Sequence, residues 1–112
     1  PDFSMDLFRS HNYITHFFVV KHSIMNKIEG FRSEYDGSQD YDLMFRCIEN
    51  SEKIKHIPMI LYHWRIHQNS VAGDPASKMY AYDAGKRAIE AQLKRMNIAA
   101  SVEHQGLWEC IM

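Results

Sequence analysis

The stretch GSQDYDLMFR, residues 37–46, sets a Gly-Ser pair directly before two carboxylates, Asp40 and Asp42. Apolar side chains at Tyr41, Met44, Phe45 and Ile48 recur at helical spacing, so Asp40 falls at a loop-to-helix corner. An Asp there has two uses. It accepts a hydrogen bond from a free backbone N–H as a helix cap, a contribution of about 1 kcal/mol, or it acts as a general base once a substrate hydroxyl comes within about 3 Å. Spacing alone leaves both uses open. Asp42 stands about 200° around a helix from Asp40, so the carboxylates diverge and cannot work as a dyad. Gly37 and Ser38 would let a substrate come close to the backbone beside Asp40.

A second polar group lies in YHWRIHQNS, residues 62–70. His63 and His67 have the spacing of a helical metal pair, yet the residues before them read as extended chain. At about 3.3 Å per residue, positions i and i+4 in a strand are about 13 Å apart, too far to share one ion. One of the two could still be a ligand if partners come from elsewhere in the chain. Alternation sets His63, Arg65 and His67 on one side, against Tyr62, Trp64 and Ile66 on the other. Arg65 carries a permanent planar charge suited to phosphate oxygens, and Gln68, Asn69 and Ser70 bring hydrogen-bonding groups just beyond it. An exposed strand end with a salt-bridging Arg accounts for the same residues. The remaining histidines, His11, His16, His22, His56 and His104, are scattered and read as surface or satisfied core residues.

The elements that must position these groups alternate, which predicts an α/β chain. NYITHFFVVK (12–21) is rich in β-branched and aromatic residues and reads as a buried strand, and HSIMNKIEGF (22–31) as a short helix stopped at Gly30. A helix over about 41–50 and an extended segment over 53–67 form the next unit, with Pro58 pointing to an edge, bulge or kink. Asp74 and Pro75 suit the cap and first position of a last helix. There Tyr82, Gly85, Ile89, Leu93 and Met96 form one stripe, with Asp83–Arg87 and Glu90–Lys94 as i,i+4 pairs on the wet side. No repeat or linker divides the 112 residues, so one unit over 1–112 is expected.

Composition narrows the partners. Thirteen Lys and Arg against fourteen Asp and Glu leave a formal net charge of −1, which gives no basic surplus for nucleic acid or anionic lipid. Cys47 and Cys110 lie far apart, and Cys47 falls within the amphipathic helix, so a buried thiol in a reducing compartment fits better than a disulfide framework. The apolar run YITHFFVV is eight residues long, well short of the roughly 20 that span a bilayer. The chain opens PDFSMDLF with no initiator Met, which reads as a piece of a longer protein.

The series NYITHFFVVK, GFRSEYDGSQDYDLMFRC, KIKHIPMILYHWRIHQNSVA and AYDAGKRAIEAQLKRMNI resembles, in order and over nearly the whole chain, the second half of a family 2 glycosyltransferase. The bacterial enzymes of rhamnose-containing cell-wall polysaccharides and O-antigens are the nearest in kind. The resemblance implies a partial GT-A fold, few strands with flanking helices. It implies inverting transfer from a nucleotide-diphosphate sugar to a glycan acceptor, with Mg²⁺ or Mn²⁺ on the diphosphate. By the same resemblance Asp40 is the general base. Gln39, where the family more often has Glu, bonds the acceptor. His67 is a metal ligand, Arg65 and Ser70 lie near the diphosphate or on the mobile loop covering it, and Trp64 packs or stacks on the acceptor, with packing favoured. Neither an Asp-x-Asp after an apolar strand nor the nucleotide-binding half is present, so this segment alone is expected to lack transferase activity and to expose a sheet edge through which it self-associates. A cytoplasmic location follows, at the inner face of the membrane through the full-length protein. The rival reading is an interaction or scaffold module in which Asp40 caps a helix and the His/Arg face meets a partner protein.

Overall fold

In a computed structural model of the chain, residues 2–65 and 79–104 are described. Their regular elements are helical: α1 (Met5–Ser10), α2 (His22–Ile28), a 3₁₀ turn (Ser33–Tyr35), α3 (Gln39–Glu49) and α4 (Met79–Arg95).

Helix α3 is the centre of the molecule, with every residue from Tyr41 to Ile48 buried. The expected face is found. Tyr41, Met44, Phe45 and Ile48 close on Phe8 of α1, which is fully buried, with Phe3, Tyr13, Phe18 and Ile89 around them. The rings of Phe8 and Tyr41 meet edge-on at 5.0 Å, and Phe8 and Phe45 sit 4.7 Å apart. Burying a ring such as Phe8 contributes about 1.5–3 kcal/mol. The opposite side of α3 packs Leu43 and Cys47 against Ile28 of α2, with Val20, Ile24 and Met25 alongside.

A helix buried on two faces leaves little room for charge, yet α3 carries Asp42 at 0% exposure and Arg46 at 3%. They pair one turn apart. Arg46 Nη2 and Nε lie 2.7 and 2.9 Å from Asp42 Oδ2, and Arg46 Nη1 donates to the carbonyl of Ile28 at 2.8 Å. One guanidinium therefore holds one oxygen of a carboxylate on its own helix and the last carbonyl of α2, while Asp42 Oδ1 is buried without a hydrogen-bond partner among the described residues.

Helix α4 lies across α3 through small residues, the buried Ala84, Gly85 and Ala88. The stripe expected there is partly right. Gly85 and Leu93 are buried, Tyr82 and Ile89 are half-buried, and Met96 is beyond the helix and exposed. Gln92, at 0% exposure, takes an inward position and accepts from Arg9 Nε at 3.0 Å. The expected i,i+4 pairs give way to others. Lys86 approaches Glu90 at 3.8 Å, and Asp83 faces His104 at 3.7 Å. Arg87 turns to the 3₁₀ segment, donating to the Glu34 carbonyl and lying over the Tyr35 ring.

The α/β expectation, and with it the partial GT-A sheet, is corrected: no strand occurs among the described residues. Residues 12–21 run extended but break at Thr15, whose φ of 42° is left-handed and whose N–H goes to Asn12 Oδ1 at 3.3 Å. A local side-chain bond there replaces a ladder bond. The described part of 53–67 is exposed, including Ile57, Ile60, Leu61 and Trp64. The two segments touch through rings, His16 lying 5.0 Å from Tyr62 and 4.9 Å from Trp64, and make no backbone ladder. So no sheet edge is offered for self-association by these residues. Helix α2 also ends earlier than expected, at Ile28, with Glu29 and Gly30 both left-handed. Asp74 and Pro75, expected to open the last helix, lie outside the described residues.

Removing one partner of a buried pair strands the other charge, so Asp42→Ala is expected to cost about 3–5 kcal/mol in urea unfolding. Asp6→Ala, at an exposed pair, should cost under about 1 kcal/mol.

Candidate functional site

The corner that carries Asp40 is built by a close approach of two helices. Gly37 has φ of 96°, and a Cβ placed on it would meet the Tyr80 ring at 2.6 Å and Ala81 at 2.9 Å. Ser38 Oγ donates to the Ala81 carbonyl at 2.7 Å, and a Cβ on Gly85 would come 3.3 Å from that same Oγ. The space expected for a substrate at Gly37 and Ser38 is therefore taken by α4. Ser38 stands at the helix cap in place of Asp40, although its side chain bonds α4 rather than the helix's free N–H groups.

Asp40 is the second residue of α3 and is half-buried. Its Oδ1 accepts from the Tyr41 N–H at 2.9 Å, and its Oδ2 from Asn12 Nδ2 at 3.2 Å. The carboxylates diverge as the helix period requires: Asp40 reaches the surface and Asp42 the interior. Gln39 folds back, its Oε1 accepting from the Gly37 N–H at 2.8 Å.

Arg65 and Trp64 are the other expected site residues that the structure describes. Arg65 is exposed and forms no ion pair among the described residues. Trp64 is 66% exposed, so the favoured packing role is not seen; its ring meets His16. Tyr62 and Trp64 do share a side, both touching His16, as alternation predicts. His67 and Ser70 lie outside the described residues. A groove of about 500 Å³ elsewhere, between α1, α4 and residues 101–104, includes Arg9, Lys86, Glu103 and His104 in its walls but neither Asp40 nor Arg65.

Among the described residues no three of His, Cys, Asp and Glu converge where a metal ion could sit. His67, the ligand expected for a divalent cation, lies outside them. Nor is any described helix long and apolar enough to cross a membrane.

Two buried groups on α3 are held in their protonated forms. Burial pushes the Tyr41 phenol well above its ordinary range, and its hydroxyl donates to the Phe8 carbonyl. Burial also pushes the Cys47 thiol up, with Arg46 pulling weakly the other way. Sequence reasoning missed Asn12 and Arg46. The Asp-x-x-x-Arg spacing in α3 signalled the second; nothing local signals that Asn12 reaches a residue 28 positions away.

Against curated proteins the chain finds bacterial relatives. It is 39% identical over 102 residues to the O-antigen biosynthesis protein RfbC of Myxococcus xanthus, covering 91% of this chain and 8% of that protein. It is similar to part of an O-antigen biosynthesis protein. An uncharacterized protein, y4gI, of Sinorhizobium fredii (strain NBRC 101917 / NGR234) is 40% identical over 97 residues, covering 85% of this chain and 11% of its own length. The chain spans about a tenth of the length of these relatives. No protein-family model matches, and no solved structure does.

A methyl at Gly37 meets both a forbidden φ and the Tyr80 ring. Gly37→Ala should lower stability by about 1–3 kcal/mol, read as a fall in thermal midpoint; an unchanged midpoint would mean that α4 does not close on this corner.

Proposed function

We propose that this chain is the acceptor-side segment of a longer bacterial protein that transfers a sugar, with inversion, from a nucleotide-diphosphate donor to a cell-surface polysaccharide. The observation that carries the reading is Asp40. It is a half-buried carboxylate at a loop-to-helix corner, oriented by Asn12 and the Tyr41 N–H, in a chain similar over most of its length to part of an O-antigen biosynthesis protein.

The reaction asks little of such a group. The acceptor hydroxyl attacks the anomeric carbon as the bond from that carbon to the diphosphate oxygen breaks. The hydroxyl proton passes to Asp40, and the nucleoside diphosphate leaves with the electron pair. Arg65 offsets charge on the departing diphosphate, helped by Ser70. Gln39 and Trp64 contact the acceptor, and His67 would hold a divalent cation in the full-length protein, which would supply further positive charge for the diphosphate. With a nucleotide sugar as donor, the chemistry belongs on the cytoplasmic side of the membrane. Donor binding depends on residues outside this chain, so the isolated segment is expected to be inactive.

The test uses the full-length protein with UDP-glucose, UDP-N-acetylglucosamine and dTDP-rhamnose as donors and methyl glycosides as acceptors. Asp40→Asn should lower turnover by about 100-fold or more, the scale of general-base catalysis, while the KM for the donor stays within about twofold. Normal turnover would remove Asp40 as base, and loss of donor binding would make it a structural residue.

A further inference from the structure

Asn12 sits between two features that have no sequence link. Its Nδ2 donates to Asp40 Oδ2 at 3.2 Å, and its Oδ1 accepts from the Thr15 N–H at 3.3 Å. The second bond closes a three-residue turn at which Thr15, a β-branched residue, takes φ of 42°. Such a conformation at a β-branched residue costs of order 1–3 kcal/mol and persists only where the surroundings hold it. What the turn accomplishes is visible at its other end. With Oδ1 engaged by Thr15, the amide of Asn12 is fixed with its Nδ2–H₂ group toward α3. Asp40 then has one oxygen on its own helix's N–H and the other on Asn12.

We propose that Asn12 is a positioning residue for Asp40. Its amide, locked by the Thr15 turn, selects one rotation of the carboxylate and so fixes the direction from which an acceptor hydroxyl is deprotonated. This rests on the reading of Asp40 as the base. An amide suits the task better than a charged donor: it orients the carboxylate without supplying a full positive charge that would oppose proton uptake.

A merely structural Asn12 would do nothing but hold the turn, and one substitution separates the two roles. In Asn12→Asp the carboxylate still accepts from the Thr15 N–H, so the turn is kept, while the donor to Asp40 is replaced by a like charge. In the full-length protein, with the same three donors and methyl glycosides, Asn12→Asp and Asn12→Ala are each expected to lower kcat at least tenfold with donor KM within twofold. Neither should reduce residual turnover further in an Asp40→Asn background. Both variants should remain folded at the assay temperature by circular dichroism. The proposal is overturned if Asn12→Asp keeps full kcat while Asp40→Asn does not, or if the losses multiply in the double variant. Full turnover by Asp40→Asn would instead overturn the base assignment, and this inference with it.

Discussion

Helix α3 can be set into this molecule in one rotation, and the buried pair of Asp42 and Arg46 decides which. A fully buried carboxylate is tolerated only with a partner, and Arg46 supplies it while holding the Ile28 carbonyl at the end of α2. Turning α3 by two residues, about 200°, would bring Asp42 out and drive Asp40 in, away from the Arg46 that pairs with a carboxylate at the buried position. The pair's contribution is therefore orientation as much as stability. By keeping one carboxylate inside, it makes the other available at the surface.

The second constraint is distance. Gly37, Ser38 and Gly85 let the start of α3 and the body of α4 approach more closely than larger residues would allow, and the Ser38 hydroxyl fastens them through the Ala81 carbonyl. That contact closes one side of the corner. On another side the chain from α1 passes through His11 to Thr15, anchored by Asn12. The Asp40 carboxylate is thus held by its own helix and by Asn12, from two parts of the chain, which is what a base needs if its direction is to be fixed before substrate arrives.

Helical period made α3 legible. Its apolar face, the divergence of Asp40 from Asp42 and the burial of Cys47 all follow from spacing within one element. Expectations that required a partner element fared differently. The β-branched and aromatic runs at 12–21 and 53–67 have strand composition, but such propensity expresses packing on a neighbouring strand. Here the described residues meet by rings rather than by a ladder, and Thr15 breaks the first run. The glycine at 37 was legible as a tight position but not as to what approaches it, since Tyr80 and Ala81 lie some forty positions on. The Asp83–Arg87 pair expected in α4 is absent for a similar reason, since both residues find partners off their own helix, while Glu90 pairs at i,i+4 with Lys86 instead of Lys94.

The proposed function requires that Asp40, and not Asp42, face the acceptor. It is tested most directly by a crystal structure of the full-length protein with a nonreactive 2-fluoro nucleotide sugar and a methyl glycoside acceptor. The acceptor's nucleophilic hydroxyl is expected within about 3 Å of an Asp40 carboxylate oxygen, with Asn12 still bonded to the other face of that group. An acceptor seated elsewhere, for instance in the groove beside Arg9 and His104, with Asp40 bonded only to Asn12 and Tyr41, would contradict it.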